Sequence, residues 1–185
     1  MEIAKNIQIN KIIKIVLIVL FGSIFLTISA KIKIPFYPVP MTMQTFAVLL
    51  LGMIFGYKIA IAIVATYLFE GLIGIPVFAN SPEKGIGITY FTGPTMGYLV
   101  GFLFAAFFSG VFKYEKIFFT FLKLIFSVSF IYFFGIIWLG LLLGWEKPLF
   151  KIGAQPFLLA ELFKISILTL LSPLILKYDA LKKII

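Results

Sequence analysis

The sequence predicts an all-α integral membrane protein, a bundle of six transmembrane helices in a single domain covering residues 1–185. Hydrophobic residues make up 62% of the chain and charged residues only 12%, against about a quarter in an average soluble domain. The mean hydropathy is +1.16. The apolar residues also fall into runs divided by prolines, glycines and lysines, and most of these runs can cross the ~30 Å hydrocarbon core of a bilayer.

The composition excludes several classes of function. The chain has no Cys and no His, which excludes disulfides, thiol nucleophiles, imidazole bases and any zinc or haem site built on those residues. We therefore expect no metal and no cofactor. The net charge of +9 comes from 16 lysines against 7 acidic residues. Because the lysines lie mostly between apolar runs, they indicate membrane topology and contact with anionic lipid headgroups, not nucleic-acid binding.

The first half of the chain contains three predicted spans. The first covers residues 12–30, and a loop over residues 31–40 follows, extended by prolines that fix φ and disfavour helix in the preceding residue. The second span, residues 42–55, reaches only about 21 Å at 1.5 Å per residue, so it must tilt or pair with a neighbour. A turn at residues 56–58 leads into the third span, residues 59–75.

The second half contains the other three spans, at residues 92–112, 117–145 and 156–176. Six spans place both termini on one side of the membrane. With the N-terminus inside, ten of the lysines outside the sixth span lie on the inner side and five on the outer side. Since inner loops are enriched in lysine, this distribution predicts an N-in, C-in orientation.

A face of small residues runs along the fourth predicted span. Gly93, Gly97, Gly101, Ala105 and Ser109 recur at every fourth position, a pattern that allows another helix backbone to approach closely. We favour packing inside the bundle as its role. The alternative is a docking surface for a separate membrane subunit.

Polar residues that are costly to bury in a bilayer gather at one end of the predicted bundle. With this topology, a set of them lies at the outer ends of the second, fourth and sixth spans or in the outer loop: Gln44, Asn80, Thr92, Thr95, Tyr98, Glu161 and Lys164. Helix N-termini at the same depth add partial positive charge, which suits an anionic group. The arrangement predicts a ligand pocket open to the outside.

Each of these residues also has a structural explanation. Glu161 and Lys164, three residues apart on one helical face, could simply neutralise each other. Asn80 could be a turn residue, and Gln44 could cap its helix. Convergence of the whole set therefore carries the prediction.

Four segments resemble blocks of the BioY family, the biotin-binding S components of energy-coupling factor (ECF) transporters. They are residues 40–52, 67–79, 92–102 and 154–164. The resemblance also shows departures: Glu161 stands where the family has Asp, Glu70 stands at an apolar position, and the first-span Ala-x-x-x-Ala is replaced by Ser23 and Thr27.

The resemblance implies biotin as the ligand and assigns roles in the pocket. Glu161 would accept hydrogen bonds from the ureido N–H groups, with Asn80 and Gln44 as amide partners. Lys164 would orient Glu161 or contact a ligand oxygen, and Tyr98 would line the wall. Lys84 is a further candidate contact for the ligand carboxylate.

The resemblance also implies partners. Ser23 and Thr27 would face a transmembrane coupling subunit, and two ATPase subunits would supply the energy, because the chain lacks a G-x-x-x-x-G-K-[ST] loop. The protein would be a multi-pass protein of a prokaryotic plasma membrane. The position of residues 31–40 beside the outer pocket, and not the resemblance, predicts that this loop closes over the ligand as a lid.

Other functions stay open at this point. The alternatives within transport are an S component for another vitamin and a facilitator that acts without partners. A purely structural membrane subunit is disfavoured, because Glu161 and Lys164 would then be buried at a cost without a role. A membrane-embedded enzyme is a remote alternative, since the spans hold few acids and none at metal-ligand spacing.

Overall fold

Helices dominate the computed structural model, which describes residues 2–35 and 37–177, so the predicted all-α class is confirmed. In chain order the elements are α1 (Glu2–Lys31), β1 (Lys33–Ile34), β2 (Met41–Thr42), α2 (Gln44–Leu72), α3 (Ile88–Phe91), α4 (Met96–Val111), α5 (Ile117–Leu143), α6 (Leu149–Gly153), a 3-10 turn (Gln155–Phe157) and α7 (Leu158–Lys177). The strands form a short antiparallel ladder in which Lys33 pairs with Thr42.

Helix α2 is a hairpin of two helical arms. Gly56 interrupts the helical backbone with φ +75° and ψ 170°. Gln44 Nε2 donates a hydrogen bond of 2.8 Å to the Tyr67 hydroxyl, although a straight helix would separate residues this far apart in sequence by about 34 Å. Residues 44–55 and 57–72 therefore run antiparallel, and the chain reverses where the sequence predicts a turn.

Replacing Gly56 with Ala should destabilise the protein by about 1–3 kcal/mol, because this region of φ and ψ is populated almost only by glycine. Steric overlap would not contribute, since a Cβ atom at Gly56 would meet no atom nearer than the Gly110 carbonyl oxygen at 3.8 Å. The unfolding midpoint of the purified variant in detergent measures the effect. An unchanged midpoint would show that the hairpin does not depend on this backbone conformation.

Helix α4 lies between α2 and α5, and its small residues form both contacts. A Cβ atom on Gly101 would lie 2.5 Å from the Ile131 Cα atom of α5, and Gly97 approaches the α5 backbone as closely. On the other side, Ser109 is fully buried against Gly52 of α2. The small-residue face of the fourth span thus packs within the bundle and is not available as an external docking surface.

Four helical segments are long and apolar enough to cross a membrane: Ile9–Lys31, Gln44–Leu72, Ile117–Leu143 and Leu149–Ile175. Met96–Val111 is a shorter apolar helix. Because Gln44–Leu72 turns back at Gly56, its arms correspond to the second and third predicted spans.

Large apolar side chains cover the outside of the bundle, including Phe21 at 68% and Leu159 at 81% exposure, as expected for lipid-facing positions. The number of spans and the N-in, C-in orientation stay predictions. Lys182 and Lys183, which count toward the orientation, lie outside the described residues.

The predicted start of the fourth span at residue 92 is wrong. Helix α4 begins at Met96, and a short non-helical stretch separates it from α3. Pro94 explains the break, since it disfavours the helical conformation in Gly93. Thr92 and Thr95 consequently precede the helix and do not lie in its first turns.

Smaller differences concern the other span ends. Helix α1 extends back to Glu2, the second arm of α2 ends at Leu72, and α5 ends at Leu143. Gly144 follows α5 with φ +91°, a conformation that stops a helix.

Candidate functional site

A cavity lies at the end of the bundle that the predicted orientation places outside. Gln44 and Thr45 begin α2, Tyr98 lies in the first turn of α4 and Glu161 in the first turn of α7, so three helix starts meet here. The lining residues are Val39, Pro40, Met41, Thr42, Gln44, Thr45, Phe78, Ala79, Tyr90, Thr95, Tyr98, Leu99, Phe102, Ile131, Tyr132, Phe157 and Glu161. Aromatic and aliphatic side chains form most of the wall.

A buried ion pair forms the polar side of the cavity. Lys164 Nζ donates to Glu161 Oε1 at 2.6 Å, and the two side chains are only 7% and 5% exposed. The same ammonium group donates to the Thr42 carbonyl oxygen at 2.7 Å and to Thr45 Oγ1 at 3.1 Å. Thr45 in turn donates to Glu161 Oε1 at 2.8 Å. All three donors of Lys164 are thereby used within the protein.

The second carboxylate oxygen of Glu161 has no such partner. Glu161 Oε2 is buried, and no group among the described residues meets it at hydrogen-bond geometry. The Tyr132 hydroxyl lies near the same carboxylate and interacts with it both electrostatically and as a hydrogen-bond donor whose geometry falls outside that of a regular hydrogen bond. A buried charged acceptor without a partner is energetically costly, so Oε2 is the atom of the cavity with the strongest need for a ligand N–H donor.

Gln44 lines the cavity, but its amide is already engaged. Its Nε2 group donates to the Tyr67 hydroxyl at 2.8 Å, and its Oε1 atom accepts from Thr42 Oγ1 at 3.3 Å. The Tyr67 hydroxyl in turn donates a hydrogen bond to the Val77 carbonyl oxygen at 3.3 Å. Gln44 therefore joins the two arms of α2 to the segment after them, which goes beyond the helix-capping alternative.

Tyr98 lies in the wall as the sequence predicts, and the structure also gives its hydroxyl a partner. It donates to the Gly153 carbonyl oxygen at 2.7 Å. Gly135 of α5 leaves room for the ring, because a Cβ atom there would overlap Tyr98. The ring is therefore held in place and presents an apolar face to the cavity.

Asn80 and Lys84 lie in a smaller adjoining cavity and do not line the larger one. Tyr90 and Thr95 belong to both cavities and so connect them. Burial raises the pKa of the Tyr90 hydroxyl, which therefore stays protonated near neutral pH and can donate a hydrogen bond. Lys84 is exposed, so its ammonium group adds positive charge at the mouth.

Ser23 does not lie on the surface that the sequence analysis expects to meet a partner. It is only 1% exposed and donates a short hydrogen bond to the Glu70 carboxylate of α2. Thr27 is half-buried and donates to the Ser23 carbonyl oxygen at 3.0 Å. The acid that departs from the family pattern thus has a polar partner between α1 and α2, and Ser23 packs inside the bundle.

Several lining residues were missed by the sequence analysis. Thr45 and Tyr132 contact the buried carboxylate, and Tyr90 joins the two cavities. Thr45 follows Gln44 directly, so its position at a helix start could have indicated that it lines the cavity. Tyr132 lies in the middle of a long aromatic span, where nothing in the pattern separates a cavity-lining ring from a lipid-facing one.

Comparison with known families and proteins supports the resemblance. A sequence model of the BioY family matches residues 3–180. The "Probable biotin transporter BioY" of Pyrococcus horikoshii is 33% identical over 138 residues, which cover 75% of this chain and 81% of that protein. The "Biotin transporter BioY" of Thermotoga maritima is 34% identical over 149 residues, 80% and 86% of the two chains.

A solved structure shares the fold. The crystal structure of the S-component for biotin from an ECF-type ABC transporter superposes with a TM-score of 0.75 at 26% sequence identity. The match covers 91% of this chain and 93% of that chain. The helical bundle described above is therefore an S-component fold.

Proposed function

Because the chain belongs to the BioY family, we propose that it takes up biotin as the substrate-binding S component of an ECF transporter. Its relatives are named as transporters, in agreement with a chain that is not an enzyme. The larger cavity, lined by Gln44, Tyr98 and Glu161, is the proposed biotin site.

The observation that carries this proposal is the buried Glu161 Oε2 atom, which has no regular hydrogen-bond partner among the described residues and lies in a mostly apolar cavity. The ureido ring of biotin offers two N–H donors and one carbonyl acceptor. Glu161 Oε2 would accept from these donors. A site built on buried polar groups rejects ligands that leave those groups unpaired, so the same atom would also provide selectivity.

The remaining groups would complete the site. Lys164 would act through Glu161, because all of its donors are used within the protein. The Asn80 amide and the exposed Lys84 would face the polar parts of biotin that extend into the smaller cavity. Gln44 would shape the wall, and Tyr98 would contact the apolar part of the ligand.

We further propose that a transmembrane coupling subunit and two ATPase subunits energise uptake across a prokaryotic plasma membrane. Since Ser23 is buried, a partner that meets α1 would contact Thr27 and the exposed apolar side chains beside it, such as Phe21 and Ile24. Uptake measured in proteoliposomes with and without those subunits separates this assembly from a solitary facilitator.

Titration with biotin tests the function directly. Trp138 donates to the Gly93 carbonyl oxygen at 2.8 Å beside the smaller cavity, so biotin binding should change its fluorescence, and calorimetry gives the affinity. Desthiobiotin, which keeps the ureido ring, should also bind, whereas thiamine and riboflavin should not. Binding of another vitamin in place of biotin would overturn the proposal and indicate a different S component.

A further inference from the structure

Two lysines at the end of α1 and in β1 hold the segment of residues 78–83 by its backbone. Lys31 Nζ donates to the Phe78 carbonyl oxygen at 2.7 Å and to the Ser81 carbonyl oxygen at 2.8 Å. Lys33 Nζ donates to the Ala79 carbonyl oxygen at 2.7 Å and to Asn80 Oδ1 at 3.0 Å. Consecutive residues of the segment are thus bound by two ammonium groups from a different part of the chain.

This segment forms part of the wall of the proposed biotin site. Phe78 and Ala79 line the larger cavity, and Asn80 lines the smaller one. Because an ammonium group can only donate, its contact with Asn80 must involve the amide oxygen. Lys33 therefore orients the Asn80 amide, and the Nδ2 group is left to donate to an acceptor on the ligand.

The buried Phe78 ring anchors one end of the segment by stacking on Tyr90, with ring centroids 4.6 Å apart, and packing against Tyr67, but few other side-chain hydrogen bonds hold the segment. Among the described residues, one more hydrogen bond joins the segment to a side chain of another element. It is long, at 3.4 Å, and runs from the Asn80 backbone N–H group to the Tyr90 hydroxyl. Glu83 lies 3.8 Å from Lys33 and is largely exposed, so this pair adds little. The lysines are the main polar attachment of the segment.

The contacts of Lys33 with the segment are linked through the β1–β2 ladder to the buried ion pair of Lys164 and Glu161. Lys33 pairs with Thr42 across the β1–β2 ladder, and the Thr42 carbonyl oxygen accepts from Lys164, which holds Glu161. The polar wall of the cavity and the segment of residues 78–83 are thereby connected through one short hairpin. A shift of Lys33 would move both sides of the site relative to each other.

We propose that Lys31 and Lys33 are positioning residues that latch the segment of residues 78–83 over the bound ligand and orient the Asn80 amide toward it. This inference rests on the proposed biotin-binding function. The latch slows ligand dissociation, and the lysines act through this segment without touching the ligand.

The test uses the purified full chain loaded with radiolabelled biotin and chased with unlabelled biotin. Lys33→Met keeps the apolar stem and removes the donors, so dissociation should become roughly tenfold faster, the factor expected for loss of a hydrogen bond from a charged group. Lys33→Arg, which retains donors, should restore slow dissociation. Lys147→Met removes an exposed lysine whose hydrogen bonds among the described residues are made by its backbone alone, and it is the matched control.

A neutral ligand separates positioning from attraction of the ligand charge. If the lysine acts as a latch, Lys33→Met should accelerate dissociation of biotin methyl ester by the same factor as dissociation of biotin. An effect on biotin alone would show that Lys33 attracts the carboxylate, and it would overturn the latch. Failure of the unmodified chain to bind biotin would instead refute the proposed function itself.

A cross-link provides a second test that does not depend on the stability of Lys33→Met. The natural chain has no Cys, so Lys31→Cys with Ser81→Cys introduces the only two thiols. Joining them with a short bifunctional reagent after loading should slow biotin exchange relative to the same variant before cross-linking. Unchanged exchange in the cross-linked protein would overturn the latch.

Discussion

Replacing Glu161 with Gln should lower the affinity of the chain for biotin by roughly tenfold to a hundredfold or more, the range expected for hydrogen bonds to a charged group. The substitution removes the charge and turns one acceptor oxygen into a donor. The oxygen that faces the ureido N–H groups would then either be replaced by an amide donor or remain as a neutral, weaker acceptor. Lys164 would keep its bonds to the Thr42 carbonyl oxygen and to Thr45, so the variant should still fold.

Calorimetric titration of the detergent-solubilised variant measures this loss, and its unfolding midpoint without ligand verifies folding. Glu161→Asp, which restores the residue of the family pattern, should bind biotin at least as well as Glu161→Gln. Glu70→Gln is the matched control, because Glu70 bonds to Ser23 away from the cavity. If Glu161→Gln bound biotin as tightly as the unmodified chain, Glu161 would not contact the ligand, and Glu161 and Lys164 would form a purely structural ion pair.

Replacing Gly101 with Leu should destabilise the bundle by about 3 kcal/mol or more, because overpacking against a backbone leaves no flexible atom to move aside. A Cβ atom at Gly101 would lie 2.5 Å from the Ile131 Cα atom and 2.9 Å from the Phe130 carbonyl oxygen. The substitution would force α4 away from α5. Biotin binding should be lost as well, since both helices line the cavity.

The yield of monodisperse protein and the unfolding midpoint in detergent measure this effect. Val111→Leu introduces the same side chain into the same helix at an exposed position and should leave both unchanged. If Gly101→Leu were as stable as the unmodified chain, the small-residue face would be free for a separate subunit, contrary to the packing described above.

The sequence was sufficient for the class of protein and for most helices. Apolar runs of membrane-spanning length leave few alternatives to helices, because every backbone polar group in a bilayer must be satisfied within the segment. The turn at Gly56 was also visible, since Gly-Tyr-Lys separates two apolar runs, the first of which is too short to cross alone. The start of α4 differs from the prediction, because Pro94 lies inside the apolar run and disfavours the helical conformation in Gly93.

The site was predicted in part. Gln44, Tyr98 and Glu161 line the larger cavity, because polar groups near three helix starts at one depth must converge in a bundle. Asn80 and Lys84 lie beside it in a second cavity, and Ser23 is buried against Glu70. Spacing along a helix shows which residues share a face, but it does not show which neighbour covers that face.

The sequence by itself determined that the protein lies in a lipid bilayer, that it is helical and that it belongs to this family. It also determined which residue types can recognise a ureido ring, because all of these follow from composition and local pattern. Only the tertiary structure decided that Glu161 keeps one oxygen without a partner while Lys164 is fully engaged. It also decided that Lys31 and Lys33 hold residues far along the chain. Hydrogen bonds between distant segments depend on how helices and loops pack, and a linear pattern carries no record of that packing.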